Sequence, residues 1–367
     1  MTVFRQIERY GHESVTFFSD PSSRLRMIVA VHNTLLGPAL GGCRMWPYPG
    51  IDEALEDVLR LSRAMTYKAT MAGLPFGGGK SVVIGDSKRE KDDALLLAVG
   101  RSVSGLGGRY IVAEDVGITV ADMSVIARTT PWTAGRSLAE GGSGDPSEAT
   151  AIGVFAGIKA CLEQIGEPPT LKGRTIAIQG LGKVGSHLAR MAAQEGAKLF
   201  VTDIDSARLE QAVNELGAHS LMPEEIFTVS CDVFSPCALG GVLNEKTVPA
   251  LNCRIVAGSA NNQLAADVDG DALFGRGILY APDYVINAGG LINLSFELPG
   301  KGYNRERAVA KVLEISQTLK QVFQRSRSES APPHQVADRM VEERLTDVKR
   351  QQAAAAAKGE GTKTGKK

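Results

Sequence analysis

The chain has 367 residues, of which 43% are hydrophobic, 22% are charged and 41 are glycine. This composition is that of a globular protein rather than a disordered or fibrous one, and the length favours two domains. Because 41 Lys and Arg residues balance 41 Asp and Glu residues, no overall basic field exists to attract nucleic acid or an anionic membrane surface. The sequence therefore predicts small molecules or further copies of the chain as partners.

Targeting signals and metal-binding patterns are both missing from the sequence. No apolar run approaches the roughly 20 residues of a membrane span, and the first ten residues are polar and charged, unlike a signal peptide. We therefore expect a cytoplasmic protein with no membrane partner. The five cysteines and five histidines are scattered, without a CxxC or HExxH motif. This scatter argues against a disulfide framework and predicts that no metal is bound.

The first 140 residues are expected to form an α/β domain. Apolar stretches and helical periodicity alternate there, which predicts strands over 25–31, 81–84 and 110–113 and helices over 51–71 and 94–106. Between them, residues 74–79 have the composition of a turn and end in three glycines. We expect this turn to lead directly into Lys80 and the strand that follows it.

A glycine-rich segment at 141–147 predicts a hinge, because its glycines free the backbone and its last residues can start a helix. A helix over 147–165 and short apolar strands at βα spacing then predict a parallel, doubly wound sheet; the strands are expected at 175–179, 198–202, 232–234, 254–257 and 278–280. This second domain is expected to span 141–331. A helix near 332–350 is predicted to return to the first domain, and residues 351–367 to form a flexible tail.

The sequence from Gly180 to Gly185 has the GxGxxG spacing and follows a predicted strand. Such glycines permit a tight turn and close approach of the backbone to a pyrophosphate, and the following helix offers its N-terminal N–H groups to phosphates. The next strand ends at Asp203, where a carboxylate can bind the ribose diol and repel a 2′-phosphate. NAD is therefore predicted as the cofactor, although Lys183 and Arg208 lie near enough to weaken that preference. The alternative is a glycine turn that serves packing alone.

Lys68, Lys80 and Asp115 form a second group of interest, in the first domain. Three glycines directly before Lys80 indicate that the backbone there comes close to another group and that the Lys80 amine points in a defined direction. A desolvated lysine beside a second cation has a lowered pKa and can act as a base. The alternative is that both lysines are solvated surface charges and that Asp115 caps a helix or lies in a loop.

Seven motifs occur in order along the chain: GPALGGCRM at 37–45, MTYK at 65–68, GGGK at 77–80, AEDVG at 113–117, PCALGG at 236–241, ANNQ at 260–263 and APDYVINAGG at 281–290. Together they resemble the glutamate/leucine/phenylalanine/valine dehydrogenase family, most closely its leucine-specific branch, over about residues 4–344. The resemblance implies a reversible, NAD-dependent oxidative deamination of an L-amino acid to a 2-oxo acid and ammonium. It also implies two domains that flank a cleft, and a homo-oligomer, either an octamer or a dimer.

The resemblance further implies a role for each matching residue. Lys68 would pair with the substrate carboxylate, Lys80 would activate the attacking water as a base, and Asp115 would shuttle a proton. The implied substrate-binding residues are Leu40, Gly41, Gly42, Met65, Lys68, Ala113, Asn262, Leu291 and Leu294. The implied cofactor-binding residues are Ser147, Thr150, Gly180, Gly182, Lys183, Val184, Gly185, Asp203, Arg208, Cys237, Ala238, Ala260, Asn262 and Asn287.

The implied side-chain pocket is apolar, since it consists of Leu40, Ala113, Leu291 and Leu294. Leu40 stands where glutamate-specific members carry a lysine, and an unpaired buried carboxylate costs on the order of several kcal/mol. Glutamate is therefore predicted to be a poor substrate, and leucine, valine or isoleucine a good one. An aromatic substrate, phenylalanine or tryptophan, is the alternative. A non-catalytic NAD-binding regulator is a third reading, but it would require the loss of catalytic residues that are all present.

Overall fold

The structure is a computed structural model that describes residues 3–298 and 302–361, with only the backbone described for 356–361. The chain divides into two compact units. Unit 1 comprises the described residues of Met1–Gly144, Glu297–Tyr303 and Arg339–Lys367, and unit 2 comprises Asp145–Phe296 and Asn304–Asp338. The first boundary lies inside the predicted hinge at 141–147.

The division differs from the predicted ranges, 1–140 and 141–331, because Glu297 belongs to unit 1. The side chain of Glu297 is only 1% exposed. Its carboxylate accepts hydrogen bonds from the backbone N–H groups of Gly135 at 2.7 Å and Ser143 at 3.1 Å. Arg136 Nε lies 3.2 Å from the same carboxylate. These contacts compensate the buried charge of Glu297 and join it to the last residues before Gly144. No local sequence pattern predicts them.

Unit 1 is a five-stranded mixed sheet with helices on both faces. Its strands are β1 Ser14–Asp20, β2 Leu25–Asn33, β3 Ala39–Trp46, β4 Gly77–Ile84 and β5 Tyr110–Glu114, and its helices are α1 Val3–Tyr10, α2 Ile51–Met71, α3 Asp93–Ser104 and α4 Val120–Ile126, with a 3₁₀ turn at Leu138–Glu140. The strand order is β1-β2-β4-β3-β5. β1 and β4 run antiparallel to β2, whereas β3 is parallel to both β4 and β5.

The two faces of this sheet bury separate hydrophobic clusters. α2 packs residues such as Leu55 and Leu59 against Ala30 and Val82, and the opposite face packs against α3 and α4. Side chains alternate between the faces of a strand. Lys80, two residues before Val82 and in register with Ala30, therefore lies on the face that α2 covers.

The three glycines before Lys80 lie within β4, where the sequence predicted a turn. A Cβ atom on Gly77 would lie 1.8 Å from the Asn33 carbonyl oxygen, and one on Gly78 would lie 2.0 Å from the Thr66 backbone nitrogen. Neighbouring backbone thus occupies the space of a side chain at these positions. The glycines serve close packing of β4 against β2 and α2, and Lys80 stands in the middle of a strand rather than at its start.

Unit 2 is a six-stranded parallel sheet. Its strands are β6 Thr175–Gln179, β7 Lys198–Thr202, β8 His219–Ser220, β9 Cys231–Pro236, β10 Cys253–Val256 and β11 Leu279–Tyr280, and its helices are α5 Ser147–Gln164, α6 Lys183–Gln194, α7 Ser206–Leu216, α8 Thr247–Ala250, α9 Asp267–Gly275, α10 Asp283–Ile286, α11 Gly289–Ser295, α12 Arg305–Leu313 and α13 Ile315–Glu329, with a 3₁₀ turn at Glu225–Phe227. The strand order is β11-β10-β9-β6-β7-β8, and every pairing is parallel.

This strand order confirms the prediction of a doubly wound α/β sheet. The chain enters the sheet at β6, adds β7 and β8 on one side, and returns to add β9, β10 and β11 on the other. In sheets of this topology ligands bind outside the carboxyl ends of the strands at the point where the order reverses, here between β6 and β9. The glycine turn follows β6 at this point.

The last helix, α14, covers Pro333–Gly361 and is longer than the helix predicted near 332–350. It continues through residues where the sequence predicted a tail, because five alanines at 353–357 have the highest helix propensity of any residue. Gln352 Nε2 also donates to the Leu35 carbonyl at 2.9 Å. The rest of the predicted tail, 362–367, lies outside the described residues.

Two other findings concern the part of the chain that the structure describes. None of its helices is long and apolar enough to cross a membrane. No three of its His, Cys, Asp or Glu residues are grouped so that they could hold a metal ion. The five cysteines are free, and Cys43 and Cys161 are buried while the other three are partly exposed.

Unit 1 contains two buried histidines, His12 and His32. We therefore predict that it loses stability in mild acid. His32 Nδ1 lies 2.7 Å from Thr66 Oγ1, and His12 Nε2 lies 2.7 Å from Ser62 Oγ. Burial lowers the pKa of His12 to about 3 and that of His32 to about 4. Since both values lie below the ordinary 6.5, the unfolded chain binds protons first as the pH falls. Stability that is complete above pH 6.5 is then lost progressively toward pH 4 and 3.

We expect the melting temperature to fall by several degrees between pH 7 and pH 5, where most carboxylates remain ionised. The combined variant His12→Gln and His32→Gln should have a flatter pH dependence, as measured by calorimetry. The exposed His219 provides the control, since His219→Gln should leave the wild-type slope unchanged. A wild-type melting temperature that stays constant from pH 7 to 5 would contradict this account.

Candidate active site

Lys80 and Asp115 form an ion pair that reaches across β3 of the unit 1 sheet. Lys80 Nζ lies 2.6 Å from Asp115 Oδ2, and the two side chains are 8% and 20% exposed. Lys80 belongs to β4 and Asp115 follows β5 directly, so the pair spans the intervening β3. The predicted base and the predicted proton shuttle are therefore within direct proton-transfer distance of each other.

Arg44 also binds this pair, although the sequence did not mark it as a site residue. Its Nε lies 3.2 Å from Asp115 Oδ2, the oxygen that Lys80 contacts, and its Nη1 lies 2.9 Å from Asp57 Oδ2 on α2. The hydroxyl of Tyr48 donates to the same Asp57 oxygen. Arg44 does lie in the first motif, but a single arginine carries no spacing signal for partners 13 and 71 residues away.

Asp115 is held as a carboxylate by its neighbours. Burial alone would raise its pKa, but the charges of Lys80 and Arg44 and the hydrogen bond from Lys80 outweigh burial and lower the pKa to about 2. Asp115 is therefore ionised throughout the neutral and alkaline range. It can take up a proton only transiently, as a group that passes protons on would do.

Gly42 lies against the ion pair. A Cβ atom on Gly42 would lie 2.6 Å from the Glu114 carbonyl oxygen, 2.8 Å from Asp115 Cβ and 3.1 Å from Lys80 Nζ. A Cβ on Gly41 would lie 1.8 Å from the Gly79 carbonyl oxygen. Neither position has room for a side chain, so β3 can approach the pair only as glycine backbone.

The other predicted substrate residues of unit 1 lie around these glycines. Leu40 is fully buried, and Ala113 is 2% exposed and in register with Gly42. Met65 Cγ is 3.4 Å from the position of a Cβ on Gly41. Lys68 is partly buried one turn further along α2. The structure therefore brings Met65 and the predicted strand residues to one part of the sheet, and Lys68 lies on the helix that covers its face.

In unit 2, two glycines of the GxGxxG motif are explained by packing and one is not. Gly180 has a φ of 96°, and a Cβ there would lie 2.8 Å from Ala238 Cβ. A Cβ on Gly185 would lie 2.0 Å from the Gly180 oxygen and 3.3 Å from Cys237 Cβ. A Cβ on Gly182, by contrast, would meet nothing within 4 Å. The fold therefore does not require glycine at 182, whereas close approach of a ligand would.

Asp203 lies beside this turn, as the sequence predicted. One carboxylate oxygen accepts the backbone N–H of Leu181 and the other accepts that of Asp205 at 2.8 Å. The two nearby cations are bound elsewhere: Lys183 Nζ lies 2.6 Å from Asp145, and Arg208 Nε lies 3.2 Å from Asp205. Neither of these ion pairs neutralises the Asp203 carboxylate.

Three buried oxygens at the carboxyl end of this sheet have no hydrogen-bond partner within the described residues. They belong to Gln179, Thr202 and Asn287. Gln179 and Thr202 are the last residues of β6 and β7, and Asn287 Nδ2 donates to the Ser259 carbonyl beyond β10 at 3.1 Å. A buried polar atom without a partner costs about 1–3 kcal/mol.

The remaining predicted residues of unit 2 lie on α5, on α11 and in the loops after β9 and β10. Gly290 allows α11 to pack on α5, because a Cβ there would lie 2.8 Å from Thr150 Oγ1. α11 carries Leu291 and Leu294, which are 6% and 7% exposed.

Ser147 begins α5 and donates its N–H to Asp145 at 2.9 Å. Ala260 N donates to the Pro236 carbonyl at 2.9 Å, which joins the loops after β10 and β9. Asn262 is exposed with a left-handed φ of 51°, a conformation that clusters at functional sites. Its carbonyl accepts the N–H of Gly241 at 2.7 Å. Of the predicted cofactor residues outside the glycine turn, Ser147 and Thr150 lie on α5, Cys237 and Ala238 follow β9, Ala260 and Asn262 follow β10, Asn287 follows α10 and Arg208 lies on α7.

Sequence comparisons match both units to one enzyme family. The model described as Glu/Leu/Phe/Val dehydrogenase, dimerisation domain, matches residues 12–132, and that described as glutamate/leucine/phenylalanine/valine dehydrogenase matches 141–209 and 201–357. The leucine dehydrogenase of Geobacillus stearothermophilus is 49% identical over 350 residues, which is 95% of each chain. The phenylalanine dehydrogenase of Thermoactinomyces intermedius is 46% identical over 353 residues, 95% of this chain and 96% of the relative.

A structural comparison agrees with the sequence comparisons. The crystal structure of L-tryptophan dehydrogenase from Nostoc punctiforme superposes with a TM-score of 0.81 at 41% identity, and the match covers 95% of this chain and all of that one. The resemblance drawn from seven short motifs is thereby confirmed over nearly the whole sequence. The chain belongs to the glutamate/leucine/phenylalanine/valine dehydrogenase family and is an amino acid dehydrogenase, an oxidoreductase that uses a nicotinamide cofactor.

Proposed function

We propose that the chain catalyses the reversible, NAD-dependent oxidative deamination of a branched-chain L-amino acid, leucine, valine or isoleucine, to the 2-oxo acid and ammonium. The observation that carries the proposal is the buried Lys80–Asp115 pair at 2.6 Å, placed against the glycine backbone of β3. Relatives that cover nearly the whole chain, such as the leucine dehydrogenase at 49% identity, support it.

Bound NAD would accept a hydride from the α-carbon of the substrate and leave an imine. Water must then add to the imine carbon, and ammonia must leave it. Both steps require proton transfers at the oxygen and nitrogen atoms bound to that carbon. Lys80 first gives its own proton to Asp115, and its neutral amine then removes a proton from the attacking water. Asp115 passes the proton it received to the departing amine, which leaves as ammonia. Lys68 pairs with the substrate carboxylate and holds the α-carbon in place. General acid–base assistance of this kind contributes about 10²–10⁴-fold to a rate.

The choice of amino acid is proposed from the apolar side chains of the predicted pocket. Leu40 and Ala113 are buried in unit 1, and Leu291 and Leu294 are nearly buried in unit 2. None of them can compensate a side-chain carboxylate, so glutamate is disfavoured. An aromatic substrate is the second candidate, because a phenylalanine dehydrogenase at 46% identity and a tryptophan dehydrogenase at 41% follow the leucine dehydrogenase at 49%.

NAD is proposed over NADP because of Asp203. A carboxylate at the end of the second strand binds the ribose 2′-hydroxyl and repels a 2′-phosphate. Arg208 and Lys183, which could attract a phosphate, already pair with Asp205 and Asp145. The open space at Gly182, where a Cβ would meet nothing within 4 Å, is a further feature that suits the dinucleotide.

The test is the initial rate of NAD reduction at alkaline pH with L-leucine, L-isoleucine, L-valine, L-phenylalanine, L-tryptophan and L-glutamate, each expressed as kcat/KM. The best substrate is then measured again with NADP. We expect a branched-chain amino acid to lead and NAD to be preferred. A leading aromatic substrate would refute the pocket assignment, and inactivity with all six would refute the proposed reaction.

We also propose that the enzyme is a cytoplasmic homo-oligomer, either an octamer or a dimer. The match of residues 12–132 to a dimerisation domain supports association of at least two copies. Light scattering coupled to size-exclusion chromatography gives the number directly. A mass that corresponds to one 38.9 kDa chain at micromolar concentration would contradict the proposal.

Gly182→Ala is expected to raise the Kd for NAD at least about tenfold without lowering the melting temperature. The fold has room for the methyl group and φ is −61°, so the loss of stability usual for a required glycine should not occur. A ligand pyrophosphate close to the backbone would meet the methyl group. Isothermal titration calorimetry measures Kd, and thermal unfolding measures stability.

The control is Gly275→Ala at the end of α9, where a Cβ also meets nothing within 4 Å. That variant should change neither the Kd nor the melting temperature. If Gly182→Ala bound NAD as tightly as the wild type, the glycine turn would be left with a packing role alone.

A further inference from the structure

A chain of partly buried polar side chains connects the Lys80–Asp115 pair to α2, and we call it the Arg44 bridge. It consists of Arg44, Asp57 and Tyr48. Arg44 Nε contacts Asp115 Oδ2 at 3.2 Å, Arg44 Nη1 contacts Asp57 Oδ2 at 2.9 Å, and the Tyr48 hydroxyl donates to that same Asp57 oxygen. Positive and negative charges alternate along the series Lys80, Asp115, Arg44 and Asp57, so the net charge of these four side chains is zero.

The Arg44 bridge differs from the surface ion pairs of unit 1. The side chains of Arg44 and Asp57 are 23% and 24% exposed, whereas those of Arg128 and Asp93, 3.5 Å apart, are 60% and 71% exposed. Exposed pairs contribute little, but a half-buried guanidinium that loses a partner keeps an uncompensated charge. Because Arg44 uses different nitrogens for its two carboxylates, the plane of its guanidinium group is fixed at both ends.

The contacts at Asp115 are one-sided. The contacts given for Lys80 Nζ and Arg44 Nε with Asp115 are both to Oδ2, at 2.6 and 3.2 Å. A carboxylate whose one oxygen is fixed by two cations presents the other oxygen in a set direction. Oδ1 is then the atom from which a proton can be exchanged without first breaking an ion pair.

We propose that Arg44 is a positioning residue that holds Asp115 by Oδ2 and leaves Oδ1 for proton exchange with the substrate, and that Asp57 and Tyr48 fix Arg44 in turn. The proposal rests on the proposed function, in which Asp115 shuttles a proton. The Asp57 carboxylate has a second effect, because it compensates the guanidinium charge while Asp115 is briefly protonated. The bridge thereby keeps the geometry of the shuttle through the whole proton transfer.

The test compares Arg44→Met, Arg44→Lys and Asp57→Asn with the wild type, and Arg128→Met serves as the control for losing a surface arginine. Four quantities are measured for each: kcat, KM for the amino acid, the Kd for NAD, and the solvent isotope effect, which is the ratio of kcat in H₂O to kcat in D₂O. Proton transfer through a misplaced shuttle should become rate-limiting. A merely structural defect would lower the amount of active enzyme and leave the isotope effect unchanged.

We expect Arg44→Met to lower kcat about 30- to 100-fold and to raise the solvent isotope effect, with KM within about threefold and the Kd for NAD unchanged. Arg44→Lys should recover part of the loss, since it restores the charge but not both contacts. Asp57→Asn should lower kcat about tenfold with the same rise in the isotope effect. Arg128→Met should match the wild type.

Two results overturn the positioning role: kcat within about twofold of the wild type in Arg44→Met, or a lower kcat with an unchanged solvent isotope effect. If Arg44→Met does not fold, the same criteria apply to Asp57→Asn, which preserves the shape of the side chain. Failure of the proposed function looks different. In that case the wild type itself is inactive with every amino acid, whereas an active wild type with unaffected variants refutes only the Arg44 bridge.

Discussion

Lys80→Ala is expected to lower kcat for amino acid oxidation by about 10³-fold or more and to leave the Kd for NAD within about twofold of the wild type. The first effect follows from removing the proposed base, whose removal alone accounts for about 10²–10⁴-fold. The second follows from the placement of the glycine turn and Asp203 in unit 2, whereas Lys80 lies in unit 1. Steady-state kinetics and calorimetric titration measure the two quantities.

The fold is expected to survive this substitution. Asp115 remains paired with Arg44 after the lysine is removed, so no buried carboxylate is left without a partner. Lys80→Gln, which keeps most of the side-chain volume, should be equally inactive if the amine is the base. The exposed Lys88 lies on the same strand–loop segment, and Lys88→Ala should retain wild-type activity. Rates near the wild-type value in Lys80→Ala would remove Lys80 from the mechanism.

The nucleotide-binding part of the molecule could be predicted from the sequence because its signals are local. Gly180, Gly182, Gly185 and Asp203 belong to one β6–α6–β7 unit, and their spacing reflects the geometry of that unit alone. The strands 175–179 and 198–202 were predicted with the bounds that the structure has. The alternation of strands and helices then predicted the parallel sheet, since short βα connections allow few other arrangements.

The features that the sequence did not reveal depend on contacts between distant residues. Gly77–Gly79 have the composition of a turn, and only the proximity of Asn33, Thr66 and Tyr110 shows why a strand contains three glycines. Glu297 joins unit 1 through bonds to residues more than 150 positions away. No periodicity or spacing encodes such a contact, so a single sequence cannot predict it.

The same limit applies to the candidate site itself. The motifs and the family resemblance identified Lys68, Lys80 and Asp115, and the structure adds that Lys80 and Asp115 are in direct contact. The resemblance gave no role to Arg44, although Arg44 lies in the first motif, or to Asp57, and the contacts that link both residues to Asp115 appear only in three dimensions. The charge of Arg44, after that of Lys80, is one of the causes that lower the pKa of Asp115 to about 2. The sequence thus led to candidate reactive groups, but not to the contacts that Arg44 and Asp57 make around them.

Gly42→Ala is expected to lower kcat/KM about 10²-fold by displacing the Lys80–Asp115 pair. The added methyl group would lie 2.6 Å from the Glu114 carbonyl oxygen and 2.8 Å from Asp115 Cβ. The ammonium of Lys80 can move aside, but the backbone of β5 can yield only by shifting Asp115. A displacement of about 1 Å is sufficient to cost 10²-fold in rate. Overpacking should also lower the melting temperature, since it costs about 1–3 kcal/mol.

Gly105→Ala is the control in the same unit, because the nearest atom to its added Cβ is 3.4 Å away, an ordinary contact. It should retain wild-type kcat/KM. The decisive comparison is the double variant Gly42→Ala and Lys80→Ala. If Gly42→Ala acts only by displacing the ion pair, it should cause little further loss once Lys80 is absent, since effects on one catalytic unit are not additive. A full 10²-fold loss in the double variant would mean that Gly42 contacts the substrate independently of the pair.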